Sequence, residues 1–234
     1  MQTQPESQQE RIFTQWPRIY ALAFFLIALL YLYWQSELLL GGLSFTVFML
    51  FLWKARSLWQ PLGRFGGVAN LITLARLLGI LLLLLCQQYL HAYVFFVIGI
   101  LILIADGLDG YYARKYKTAS DFGDFFDKET DAFFVLAFCV ILNEKGLTGL
   151  WVIYPGIFRY VFVLLLYLFG IENIRLGKSF RRQFAGMWFM GTIMGCFVLP
   201  EQIYMSAMLF ATAVLTYSFL KDIYLMLRSS RAQG

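Results

Sequence analysis

The stretch Asp106–Asp131, DGLDGYYARKYKTASDFGDFFDKETD, decides how the rest of the chain is read. It holds two pairs of carboxylates, Asp106/Asp109 and Asp127/Asp131, joined by a basic, polar turn and flanked on both sides by sequence apolar enough to be membrane. Positions three, four or seven apart share a helix face. Asp106, Asp109, Gly110 and Ala113 therefore line one side of a first helix near its C-terminal end, and Asp127 and Asp131 line one side of the next near its N-terminal end. Consecutive helices with a short connection run antiparallel, which brings both pairs to one membrane face. Converging carboxylates repel unless cations sit among them. Hard divalent ions with oxygen ligands, Mg²⁺ or Mn²⁺, answer that need, and the chemistry they predict is chemistry on a phosphate.

Working outward, the 234 residues are 60% hydrophobic and only 14% charged, which is too little polar surface for a soluble domain of this length. Apolar runs of membrane-spanning length recur along the chain, so the predicted fold class is an all-α polytopic membrane protein. Cys86, Cys139 and Cys196 each fall inside an apolar run with no metal or redox spacing and read as small buried hydrophobes. The net charge of +5 does not point to nucleic acid, because the basic residues cluster in alternate loops.

The first 17 residues are polar and do not resemble a cleaved signal. Residues 18–68 hold two spans, Ile19–Trp34 and Leu38–Trp53, then a basic and aromatic segment expected at the membrane surface. Residues 69–228 read as one six-helix unit, with spans at Asn70–Cys86, Val94–Tyr112, Phe122–Leu142, Leu147–Phe169, Phe184–Leu199 and Ile203–Leu227; residues 229–234 form a short tail. Eight spans are therefore expected, with six plus a re-entrant hairpin as the alternative. Assigning loops alternately to two sides gives one side nearly all the Lys and Arg, the other only Lys145. That places both termini and the Asp cluster on the cytoplasmic side of the cell's inner or plasma membrane.

The loop between the two Asp helices has its own logic. Ser120 or Asp121 can cap the second helix, and Gly123 offers a bare patch for close approach. Arg114, one turn beyond Gly110, is a donor suited to a diphosphate. Asp106-x-x-Asp109-Gly110-x-x-Ala113-Arg114, eight residues, then Gly123-x-x-x-Asp127-x-x-x-Asp131, resembles the signature of the CDP-alcohol phosphatidyltransferase family at every fixed position.

The resemblance covers the unit from Asn70 onward and implies displacement of CMP from a CDP-linked donor, usually CDP-diacylglycerol, by a small alcohol acceptor. It implies two metal ions, Asp106, Asp109 and Asp127 around the first and Asp106, Asp127 and Asp131 around the second. Asp131 would also be the base for the acceptor hydroxyl, and Gly110, Ala113 and Arg114 would line the CDP pocket together with Gly123. Asn70-Leu-Ile-Thr73-Leu-Ala-Arg76 resembles the first core helix, where Asn70 and Thr73 approach the nucleotide; the bland alternative has Asn70 capping and Arg76 snorkelling to the surface. Gly177-Lys178-Ser179-Phe180-Arg181-Arg182 partly resembles a loop of members using a phosphorylated acceptor, which would give Lys178, Arg181 and Arg182 to that acceptor. Arg159, inside a predicted span, needs an anionic partner, either the acceptor or one of the Asp residues. Glu129 is expected to point elsewhere and be solvated. The family also implies a homodimer in the lipid bilayer.

Two rival classes fit less well. UbiA-type prenyltransferases separate their Asp motifs widely, and a divalent-cation transporter would be expected to place its acids near mid-membrane between repeated halves, which this chain lacks. Among acceptors, glycerol 3-phosphate ranks first, an inositol phosphate second, and serine or another alcohol stays open.

Overall fold

A computed structural model describes residues 8–59, 65, 67–116, 120–169 and 180–231, leaving aside the side chains of residues 8–14, 109, 113, 114 and 229–231. The described residues are helical with no strand. In order they form α1 (Gln8–Trp34), α2 (Glu37–Lys54), the short α3 (Arg56–Trp59), α4 (Val68–Leu85), α5 (Ala92–Lys115), α6 (Asp121–Glu144), α7 (Ile153–Gly156), α8 (Phe158–Leu168), α9 (Phe180–Gly195) and α10 (Glu201–Arg231). Five of these are long and apolar enough to cross a membrane, and six if α7 and α8 are counted with the turn before them as one bent span. The chain is an all-α polytopic membrane protein. Neither α6, interrupted by its acids, nor the 16-residue α9 meets the apolar criterion, yet both pack inside the same bundle.

The expected span at 147–169 is not one helix. It starts with a single turn at Leu150–Val152, continues through α7, and bends by 52° into α8. Pro155 has no N–H to give to a continuing helix, and the buried Gly156 presses against α6, where a Cβ would stand 3.3 Å from the Leu136 Cα. A straight helix here would lose that contact.

Lipid tails are as apolar as leucine, so burial alone does not drive helices together in a membrane; tight packing and polar contacts must. The packing here is aromatic. Phe48 and Phe51 of α2 meet Phe126 of α6 edge-on and stacked; Phe48 also meets Phe133, and Phe51 stacks on Phe122. Phe24 of α1 stacks on Tyr160 of α8 at 5.0 Å and 9°. Ring pairs of this kind add about 0.5–1.5 kcal/mol each beyond area. Phe65 of the linker closes the row against Phe122 and Phe126. At the opposite end of α6, the Tyr31 hydroxyl donates to Glu144 Oε1 at 2.6 Å and accepts from Asn143 Nδ2 at 3.0 Å, while Gln88 Nε2 donates to Glu37 Oε1 at 2.5 Å. The two N-terminal helices thus share one continuous core with the six-helix unit. The boundary near residue 68 belongs to sequence resemblance and does not interrupt the packing.

Phe48 is wholly buried among Tyr20, Phe24, Phe126 and Phe133. Phe48→Ala is expected to lower the melting temperature in detergent by on the order of 5–10 °C, from a cavity cost of about 3–5 kcal/mol. An unchanged transition would mean that the hairpin is an appendage rather than a wall.

Candidate active site

Ser120 sets where α6 begins. Its backbone is extended and its Oγ accepts from the Gly123 N–H at 3.1 Å, an N-cap that fixes the helix register and hence the direction of Asp127 and Asp131. Of the two capping candidates, the serine takes the role. Asp124 pairs instead with Lys128 one turn on, an exposed contact of small energetic weight. α5 and α6 lie against α4, and α4 supplies the centre of the site.

Asp106 from α5 and Asp127 and Asp131 from α6 come together, each able to offer an oxygen within 4.8 Å of the others. Between them lies Arg76. Its Nη1 donates to Asp127 Oδ1 at 2.7 Å, and its Nη2 reaches Asp106 Oδ1 at 2.8 Å and donates to Asp131 Oδ1. The Arg76 side chain is 2% exposed, whereas the side chains of Asp106, Asp127 and Asp131 are 40%, 36% and 32% exposed. The guanidinium therefore holds the carboxylates from the buried side and leaves their other side open. Snorkelling is not what Arg76 does, because strong ion pairs at the middle of α4 outweigh the pull of the interface.

Asn70 is buried beside Gly123, where an added Cβ would meet the Asn70 Oδ1 at 2.7 Å. That close approach is the reason a glycine stands at 123. Thr73 is buried too, and its hydroxyl donates to the Ala69 carbonyl at 3.2 Å. Gly110 lies on α5 beyond Asp106 and is partly buried. Asp109, Ala113 and Arg114 also fall on α5, but their side chains lie outside the described residues, as does the whole of Lys178.

The remaining basic candidates have intramolecular partners. Arg159 Nη2 donates to Glu129 Oε1, and Glu129 is 3% exposed. Glu129 is therefore not solvated: it faces α8, and the Arg159 charge compensates its burial. Of the partners expected of Arg159, one of the Asp residues is not the one it pairs with; Glu129 is. Arg181 spans to α10, where Nη1 donates to Ser218 Oγ at 2.7 Å and to the Ser218 carbonyl at 2.6 Å while Nη2 donates to Asp222. Arg182 Nη1 lies 3.7 Å from the other oxygen of Asp222. Glu129 and Asp222 have no role in the sequence reading, and Arg76 enters it only as the end of the Asn70–Arg76 stretch. For Arg76 the signal was present, a charge halfway along an 18-residue apolar helix.

A membrane helix bundle that gathers three carboxylates, open on one side, is an arrangement with the hard oxygen donors a divalent ion takes. Residues 67–220 match the family model described as CDP-alcohol phosphatidyltransferase, and the chain belongs to that family of transferases. It is similar to CDP-diacylglycerol--glycerol-3-phosphate 3-phosphatidyltransferase of Haemophilus influenzae, 36% identical over 71 residues, or 30% of this chain and 36% of that protein. The chain therefore matches only about a third of the length of that curated relative. No solved structure matches. The family uses divalent metal ions, and the hard oxygen donors of Asp106, Asp127 and Asp131, open on one side, fit such an ion.

Gly123→Ala is expected to leave the protein folded while pushing Asn70 aside and lowering turnover about tenfold or more, since small misplacements at a reacting site are costly. Wild-type rates from Gly123→Ala would show that the contact between α4 and α6 does not bear on the chemistry.

Proposed function

We propose that this chain moves a phosphatidyl group from CDP-diacylglycerol to the hydroxyl of a small anionic alcohol, glycerol 3-phosphate first, with release of CMP. The observation that carries the reading is the convergence of Asp106, Asp127 and Asp131 in a chain of this family. The activity in the name of the Haemophilus influenzae relative favours the same donor and acceptor.

In this reading Asp106, Asp109 and Asp127 hold one Mg²⁺ or Mn²⁺, and Asp106, Asp127 and Asp131 hold a second. A metal held there would supply positive charge to the diphosphate and to the departing CMP. Asn70, Thr73, Gly110, Ala113, Arg114 and Gly123 line the cytidine diphosphate side. Asp131 takes the proton from the acceptor hydroxyl as its oxygen attacks the phosphorus atom, and the bond from phosphorus to the CMP oxygen breaks. The cluster and both termini face the cytoplasm.

Arg159 is the candidate for the acceptor's anionic group, with Lys178, Arg181 and Arg182 nearer the loop. Support for Arg159 is that its buried Nε has no hydrogen-bond partner among the described residues, while Nη2 is held by Glu129 two residues before Asp131. A guanidinium carries five donors, so the Glu129 contact leaves others for a phosphate. The engagement of Arg181 with Ser218 and Asp222 favours a framework role for it beside any acceptor contact.

Purified protein given CDP-diacylglycerol, Mg²⁺ and a panel of acceptors should release CMP with glycerol 3-phosphate. Asp127→Asn and EDTA should each stop release while the protein stays folded, with Mn²⁺ or Mg²⁺ restoring the chelated enzyme. Metal-independent turnover, or turnover by Asp127→Asn near the wild-type rate, would sink the reading. Release with serine alone would move the acceptor. Arg159→Lys should raise KM for the acceptor about tenfold or more and leave KM for CDP-diacylglycerol within about twofold, because a point charge cannot replace the guanidinium fork. Equal effects on both constants would remove Arg159 from acceptor binding.

A further inference from the structure

Arg76 closes the Asn70–Arg76 stretch, in which the nucleotide contacts were expected of Asn70 and Thr73 and not of the arginine. It projects from the middle of an apolar helix, its side chain is 2% exposed, and one guanidinium contacts the same three carboxylates that can offer oxygens within 4.8 Å of each other. An arginine stays charged at any pH a protein meets. Its charge lies within hydrogen-bond distance of all three acids and on their buried side, where screening by water is weak. Two effects follow. The guanidinium lets Asp106, Asp127 and Asp131 converge as carboxylates, and it repels any second cation that approaches from the open side.

We infer that Arg76 is a resident counter-cation of the metal site, which compensates the acidic triad from beneath and holds its affinity for divalent ions low enough for exchange. The inference rests on the assignment of the triad as a metal site. It gives Arg76 a role apart from holding the fold: the sign and size of its charge set how tightly the ion is held. The alternatives differ in sign. If Arg76 only arranged the carboxylates, its loss would weaken metal binding; if it were only an ion-pair partner for stability, its loss would leave metal binding alone.

The test is Mn²⁺ binding to the full-length purified protein in detergent after chelator treatment, read from the free-ion electron paramagnetic resonance signal, with thermal unfolding in parallel. Arg76→Gln is expected to bind Mn²⁺ at least tenfold more tightly than wild type, and Mn²⁺ should raise its melting temperature by more. Arg76→Lys keeps the charge and is expected within about threefold of wild type. Unchanged or weaker Mn²⁺ binding by folded Arg76→Gln overturns the inference. If that variant folds only when Mn²⁺ is supplied throughout, the ion is replacing the missing charge and the inference stands; if saturating Mn²⁺ does not recover it, the inference falls. Wild-type protein that binds no Mn²⁺ would instead overturn the metal-site assignment itself, so the two failures are distinguishable.

Discussion

Carboxylates gathered inside a membrane bundle repel one another, and below the surface neither salt nor bulk water screens them well. Asp106, Asp127 and Asp131 converge because Arg76 stands among them on the buried side. The rest of the structure serves that arrangement. α4 must lie against both α5 and α6 for one side chain to reach all three acids. Gly123 must be bare for α6 to come that near Asn70. Ser120 must cap α6 for its register to turn Asp127 and Asp131 the right way.

The same principle is repeated around the site. Glu129 and Arg159 join α6 to α8, and Arg181 with Arg182 meets Asp222 to join α9 to α10. A buried pair adds little net stability, but removing one partner costs about 3–5 kcal/mol by stranding the other charge. Such pairs specify which helices are neighbours more than they strengthen the bundle. This matters where lipid competes equally well for apolar faces.

Much of this was legible in the sequence. Hydropathy gave the helical membrane class, and the three- and four-residue spacing of the Asp residues placed Asp106, Asp127 and Asp131 on faces that do meet. The Asp stripe alone does not disclose the surroundings of Glu129, which depend on α8, and α8 lies against it only after the chain bends at Pro155 and Gly156. Arg76 was half legible. Its depth in an apolar run was visible, but choosing between the interface and a buried partner needs the distance between α4 and α6, which no local pattern contains. The place of the N-terminal hairpin was likewise out of reach, since aromatic residues at helical spacing show that a face will be covered without showing by what.

That hairpin also decides which flank of the bundle meets lipid. With α1 on α8 and α2 on α4 and α6, this flank of the bundle is walled off from the bilayer by Tyr20, Phe24, Phe48 and Phe51. On α5, by contrast, Leu101, Ile104, Leu108 and Tyr111 form an exposed stripe at successive helical turns, on the face turned away from Asp106. One helix thus meets two media at once: α5 turns an aliphatic face to the acyl chains of the bilayer and carries Asp106 on its opposite face.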